Sequence, residues 1–405
     1  MPFLKNISYL STCRPEGGQS DIHPLRDAAV AWRGDRIAWV GPEAELPAEF
    51  QLETSFDAGG KLVVPGLVDC HTHLAFGGWR GDEFELKIQG KSYLDLAKAG
   101  GGIVSTVKKT RAETEDALVE RCVGFLDEMA RLGVTTVEAK SGYGLDLENE
   151  LKLLKVYRRL ADRHPVRVVP TFLGAHVVPA EHKADREVYV RHILEEMLPA
   201  VAEGKLARFC DVFVEDSAFS PDEARAIFAA AAKLGMRAKV HADQLGDGDG
   251  AALAAEVKAV SAEHLEYSSD NGIGKMAEAG VVAVSLPIAT LYLNQPPLPA
   301  RKFIAAGVPV AVATDFNPGS APSFHLPMAM MLACTMQRMT PFETLKGATI
   351  IAAQAIGLEK ETGSIEVGKR ADFAVIDAPD PNHWMYHFRP NACVRTFLGG
   401  EPFDR

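Results

Sequence analysis

Three things are scarce in this 405-residue chain, and each scarcity closes off a class of protein. Long apolar runs are missing. The opening MPFLKNISYLSTC lacks the uninterrupted hydrophobic stretch of a secretory signal. The longest apolar segment, residues 281–293, is too short for a membrane span and is broken by Ser285, Pro287 and Thr290. Cysteine is sparse, with six residues at 13, 70, 122, 210, 334 and 393 and no paired spacing. A reduced, cytoplasmic setting is therefore expected. Blocks of basic residues are absent as well. The 54 acidic and 43 basic residues give a formal net charge of −11, which argues against nucleic acid as a general partner. No membrane partner is expected either. A small anionic substrate stays open, because one placed arginine can hold a carboxylate. A nucleotide loop is also lacking, since Gly100-Gly101-Gly102 has neither the P-loop Lys-Ser/Thr nor the GxGxxG spacing.

What is present is the composition of an ordinary globular protein, 47% hydrophobic and 24% charged. The length suits one large domain and a smaller one. Residues 1–62 read as short strands with turns, including a hairpin of Ala28-Ala29-Val30-Ala31-Trp32 and Arg36-Ile37-Ala38-Trp39-Val40. The far end, residues 363–405, has the same character, with strands expected at 372–376 and 393–398. Between them the pattern changes to strands alternating with helices. Eight strands are expected, at 66–70, 135–139, 168–173, 211–214, 238–240, 259–261, 281–286 and 308–313. Amphipathic segments such as 148–162 and 221–234 separate them, and extra helices are expected over 84–131. The pattern predicts an α/β fold. A (β/α)8 TIM-like barrel spans residues 63–362, beside a small composite β-sandwich formed by both termini.

The sharpest local signal is Pro65-Gly66-Leu67-Val68-Asp69-Cys70-His71-Thr72-His73. Residues i and i+2 of a strand share a face, so His71 and His73 can offer imidazole nitrogens to one metal ion. Alone, an HxH pair is weak evidence. Further on, His241 closes the fifth expected strand, His264 follows the sixth and Asp315 closes the eighth. Barrel active sites are built at such carboxyl ends. His71, His73, His241 and Asp315 make a mixed N/O set suited to one zinc or iron ion per subunit, which would activate water. His264 is expected to polarise a carbonyl or move protons, against the plainer reading that it only orients its neighbours. The remaining histidines, 23, 164, 182, 192, 325, 383 and 387, read as surface or packing residues. Cys70 reads as a buried small hydrophobe, and the methionines around 328–331 and 336–339 as core packing.

PGLVDCHTH, GSIEVGKRADFAVID and the strand-end His/Asp pattern resemble the amidohydrolase superfamily over nearly the whole chain. Two-metal members of that superfamily often bridge their ions with a modified lysine on the fourth strand. Here that strand ends Phe213-Val214-Glu215-Asp216, which favours one metal and leaves Lys140, after the second strand, as a structural or electrostatic residue. Further segments resemble one branch, the imidazolonepropionase family. They are His73-Leu74-Ala75-Phe76-Gly77-Gly78-Trp79-Arg80, Ala99-Gly100-Gly101-Gly102-Ile103, Glu138-Ala139-Lys140-Ser141-Gly142-Tyr143-Gly144, Thr171-Phe172-Leu173-Gly174-Ala175-His176, His241-Ala242-Asp243-Gln244 and Ala313-Thr314-Asp315-Phe316-Asn317-Pro318-Gly319-Ser320.

That resemblance implies hydrolysis of 4-imidazolone-5-propanoate to N-formimidoyl-L-glutamate in histidine breakdown, and a homodimer. It makes His71, His73, His241 and Asp315 metal ligands. It places Arg80, Tyr143, His176, Gln244, Asn317, Gly319 and Ser320 around the substrate, with Asp315 and His264 catalytic. Arg80 suits the propanoate, and Tyr143, His176 and Gln244 suit the ring. Three positions depart from the family's pattern. Trp79 is bulky where a smaller or polar residue is expected, Ser320 replaces a common threonine, and Gln244 stands where some relatives carry a carboxylate. Glutamine cannot act as a base, so proton transfer falls to Asp315 or His264. Two other readings stay open. One is a deaminase or a hydrolase of dihydropyrimidines or hydantoins, which would not need the Arg80 clamp. The other is a barrel that has lost catalysis and serves as a scaffold.

Overall fold

The computed structural model describes residues 2–51, 54–90, 101–387 and 389–403. Eight parallel strands run in order around a barrel: β5 (Leu67–Asp69), β6 (Val134–Lys140), β7 (Arg167–Ala175), β8 (Phe209–Val214), β9 (Arg237–Ala242), β10 (Ser261–His264), β11 (Val282–Ser285) and β12 (Val310–Val312). All eight expected strands are present, and the sixth lies a few residues later than its apolar run suggests. Its true body, Ser261-Ala262-Glu263-His264, is polar at three of four positions yet wholly buried. The ring closes at a seam between its first and last strands. Thr72 bridges Phe316 there, and the His73 and Asp315 amides donate to the Phe316 and His71 carbonyls at 2.8 and 3.1 Å.

Helices cover the outside, and several are started by a side-chain cap. Asp146 caps Leu147–Arg163, whose inward face carries Leu153, Leu154, Tyr157 and Leu160 at helical spacing. Ser220 and Glu223 form a capping box at the start of Pro221–Lys233. The long first interval holds helices Gly81–Ile88, Ile103–Ala112 and Glu115–Arg131. Ala99 and Gly100 of the glycine run lie outside the described residues. No described helix is long and apolar enough to cross a membrane.

Both termini build one further sheet of seven strands: β1 (Phe3–Ser11), β2 (Pro24–Arg33), β3 (Arg36–Pro42), β4 (Ser55–Pro65), β13 (Phe373–Ile376), β14 (Cys393–Leu398) and β15 (Glu401–Pro402). Their spatial order is β15-β14-β13-β4-β1-β2-β3, so the C-terminal strands dock on β4. The sheet folds over its own core. Trp32 of β2 meets Phe373 and Phe397 edge-on, at 5.2 and 5.7 Å between ring centres. A single residue, Gly66, joins β4 to barrel strand β5. A Cβ there would fall 2.3 Å from Thr135 Oγ1, so only glycine lets the chain pass this close to β6. The HxH motif is thereby held at a fixed offset from the small sheet.

Candidate functional site

The seam places the metal-type ligands. Asp69, the last residue of β5, accepts from Thr314 N at 3.1 Å and Thr314 Oγ1 at 2.6 Å. Burial pushes the Asp69 carboxyl up to about 7. Beyond this clasp the two strands diverge and aim their side chains at one point. Asp315 Oδ1 lies 3.3 Å from His71 Nε2 and 3.5 Å from His73 Nε2. Asp315 stands three residues past the end of β12 in a left-handed turn (φ 56°), rather than closing the strand as the sequence suggests. His241 and His264 come from β9 and β10. Ligand atoms of His71, His73 and Asp315 lie within 4.8 Å of one another, as do those of His71, His241 and His264. His71 is thus common to two overlapping triads.

The donor set fits a metal ion. Both ring nitrogens of His71, Nδ1 of His73 and Nε2 of His241 are buried without a partner. Each such orphan costs roughly 1–3 kcal/mol unless something binds it. Burial, aided by the Lys140 ammonium, holds His71 well below the ordinary imidazole value. Burial and the nearby His241 do the same to His73. Burial takes His264 down to about 3 against the opposing pull of Asp315. Neutral imidazole is the form that ligates metals.

His241 is aimed from behind. Its Nδ1 lies 2.9 Å from Asp211 Oδ2. Donation there leaves Nε2 with the lone pair facing the cluster. Asp211 is itself held by Lys140 Nζ at 2.7 Å. Lys140 also reaches Glu138 at 3.0 Å, and Lys239 bridges Glu138 at 3.2 Å to Glu263 at 3.3 Å. Despite its burial, the surrounding carboxylates of Asp211, Glu138 and Glu263 hold the Lys140 ammonium above its ordinary value. Three carboxylates and two ammonium groups thus fill the barrel axis beneath the ligands. Of these five, only Lys140 stood out in the sequence. The signal for Glu138 and Lys239 was there: Glu138 and Lys140, like Lys239 and His241, stand at i, i+2 in strands flanked by apolar residues, and so share the inner face.

Above the cluster the described residues enclose a cavity of about 1040 Å³. His73, Arg80, Tyr143, His176, His241, Gln244, His264, Asp315, Asn317, Gly319 and Ser320 all line it. His71 is not in the lining and approaches the ligands from beneath. Arg80 lies flat on Gly319, where a Cβ would stand 1.8 Å from its Nη2 and 2.3 Å from its Cζ. His176 stacks on His73 at 5.2 Å and turns Nδ1 to the Gly142 carbonyl at 3.0 Å. The Tyr143 loop is tied by Glu150, which accepts from Gly142, Gly144 and Leu145 amides at 3.1, 2.8 and 2.9 Å. Gln244 is anchored through its backbone amide to Glu215 at 2.7 Å, and its side chain reaches the cavity. Asn317 spends its amide locally: Nδ2 donates to the Asp315 carbonyl and Ser320 Oγ, and Oδ1 accepts from Gly319 and Ser320. It holds the loop that presents Gly319 and Ser320. Trp79 is not in the cavity wall, which accounts for its bulk. It is 44% exposed and packs edge-on against Phe76 at 5.0 Å, beside Phe125 and Phe316. Phe213 and Tyr292 line the cavity without having been singled out by the sequence.

A parallel barrel with buried His/Asp ligands at its carboxyl end defines a metal-dependent hydrolase fold, and the chain belongs to the amidohydrolase family, whose profile matches residues 62–402. Within that family its relatives are imidazolonepropionases. One from Symbiobacterium thermophilum is 50% identical over 395 residues, covering 95% of this chain and 93% of that one. Another, from Geobacillus kaustophilus, is 46% identical over 386 residues, covering 94% and 91%. Among solved structures, an adenosine deaminase from Xanthomonas campestris with bound zinc shares the fold, with a TM-score of 0.70 at 20% identity over 99% of this chain and 92% of that one.

Proposed function

We propose that the chain hydrolyses the ring amide C–N bond of 4-imidazolone-5-propanoate to give N-formimidoyl-L-glutamate, a step of histidine breakdown. Imidazolonepropionases at 45–50% identity over nearly the full length support this reading. The observation that carries it is the pairing, in one cavity, of the His/Asp cluster with the Arg80 guanidinium on Gly319. A substrate with a hydrolysable ring at one end and a carboxylate at the other needs both.

A zinc or iron ion bound by His71, His73, His241 and Asp315 would supply Lewis acidity toward water and the ring carbonyl. The chain's own groups do the rest. Arg80 grips the propanoate with its planar fork. Tyr143, His176 and Gln244 hydrogen-bond the ring and fix which face meets the water. His264 faces the carbonyl oxygen and stabilises the charge that develops on it. Asp315, its carboxyl raised by burial, takes the water's proton and returns it to the departing ring nitrogen. Gln244 cannot share that task. One ion per subunit, a homodimer and a cytoplasmic setting belong to the same reading.

The test is a spectrophotometric assay on freshly prepared 4-imidazolone-5-propanoate, before and after chelation and with zinc or iron restored. Metal-dependent loss of the imidazolone signal with formimidoylglutamate as product is expected. A folded, metal-loaded sample that leaves the imidazolone intact overturns the assignment.

A further inference from the structure

Two buried polar atoms without partners face each other just behind the cavity. They are Nδ1 of His264 and Oε2 of Glu266, 3.9 Å apart. His264 lines the cavity, whereas Glu266 lies outside it, 7% exposed, with its other oxygen accepting from Thr290 Oγ1 at 3.1 Å. The backbone brings the two together. His264 and Leu265 both adopt left-handed conformations, with φ of 73° and 69°. Histidine is tolerated there better than most residues but leucine is not, and two in succession are costly. The double turn brings the side chains of residues 264 and 266 to within 3.9 Å of each other. Strain of this kind is kept where the geometry it enforces is used.

We propose that Glu266 is a positioning residue for His264: its carboxyl group engages Nδ1, fixes the ring plane and leaves Nε2–H directed at the oxygen of the scissile carbonyl. The inference rests on the proposed reaction for the identity of that carbonyl, but not for the pairing itself. For His264 to present a hydrogen to the carbonyl oxygen from Nε2, its Nδ1 must accept, so the carboxyl group is the donor. Burial, with Asp315 and Glu215 adding negative charge nearby, raises that carboxyl above its ordinary value. A neutral imidazole that accepts at Nδ1 carries its hydrogen on Nε2. The arrangement gives this chain an electrophile for the carbonyl oxygen without calling on Gln244. Among the described groups, those that bear on Glu266 are His264, Thr290, Asp315 and Glu215.

The experiment uses the full-length, metal-loaded protein and two variants, Glu266→Leu and Glu266→Gln. The amide of glutamine can still donate to Nδ1, and leucine cannot. Glu266→Leu should lower kcat by on the order of ten- to a hundredfold, a part of what one oxyanion donor supplies, with KM changed less than about threefold. Glu266→Gln should recover most of that loss. Nitrogen-15 NMR of labelled histidine should show His264 as the Nε2–H tautomer in the parent and in Glu266→Gln, and a mixture in Glu266→Leu. That readout needs no substrate, so it tests the pairing even where imidazolone hydrolysis is not found. If Glu266→Leu fails to fold, Glu266→Gln decides alone: a lost tautomer preference overturns the proposal. So does a Glu266→Leu enzyme with parental kcat, or one that loses kcat while His264 keeps its tautomer.

Discussion

Gly319 offers a sharp test of the carboxylate clamp, because the perturbation is one methyl group at a known place. A Cβ on residue 319 would stand 1.8, 2.3 and 2.8 Å from Arg80 Nη2, Cζ and Nη1. No rotation of a methyl group relieves that, so Gly319→Ala must expel the guanidinium from its shelf. Arg80 would stay charged and the fold would stay intact, but the fork would no longer face the propanoate. A charge-assisted contact of this kind is worth roughly 1.5–3 kcal/mol, and each 1.4 kcal/mol is about tenfold. The expected result is a rise in KM of roughly ten- to 150-fold with kcat nearly unchanged, since the tail is gripped alike in ground and transition states. Arg80→Ala should raise KM by more than about tenfold as well. The double variant should be little worse than either single one, because the two changes remove the same contact. Steady-state kinetics on 4-imidazolone-5-propanoate measures all three. A Gly319→Ala enzyme with parental KM would refute the clamp, and additive effects would show that the two residues act separately.

Three other outcomes are expected. Lys140→Met leaves Asp211 and Glu138 without their shared ammonium inside the barrel, and should cost about 3–5 kcal/mol of stability by denaturant titration. A loss below about 1 kcal/mol would mean that water already screens the network. Exhaustive chelation should abolish activity and lower the melting temperature, and restoring metal at a thousandfold excess over its Kd should return about 4 kcal/mol. An unchanged melting curve would argue that the ligand cluster holds no metal. Finally, Cys13, Cys70, Cys122 and Cys210 are buried and their thiols are raised by that burial. A thiol reagent should titrate no more than Cys334 and Cys393 in the native protein and all six after unfolding.

The barrel was legible because most of its strands are apolar and separated by amphipathic helices, and the mostly polar sixth strand is the one whose position the apolar pattern missed by a few residues. The clustering of His71, His73, His241, His264 and Asp315 was legible for a related reason: polar residues at the carboxyl ends of barrel strands converge on one mouth. What escaped was whatever the third dimension decides. Asp211 lies in the middle of a strand, 71 residues from Lys140, and nothing local marks the pair. Glu266 resembles any loop carboxylate until two left-handed residues fold it back on His264. Asn317 lines the cavity as the resemblance implies, and the hydrogen bonds by which it also staples its own turn could not be assigned from the turn sequence alone. Trp79 was a misfit in sequence because the direction of its side chain, away from the cavity and onto Phe76 and Phe316, cannot be read from its neighbours.

The seam also has a consequence for how the protein is made. Asp69 and Thr314, which clasp the two sides of the site together, are 245 residues apart in the chain. The HxH motif leaves the ribosome early, on a strand already tied to the small sheet through Gly66, and then waits for most of the protein to be synthesised. Until β12 emerges, the first strand has no closing neighbour and its histidines have no Asp315. A chain stopped short of residue 315 therefore lacks both Asp315 and the loop that seats Arg80. The cluster can therefore be assembled only once the last barrel strand has emerged, and a nascent fragment abandoned before that point holds no complete version of it.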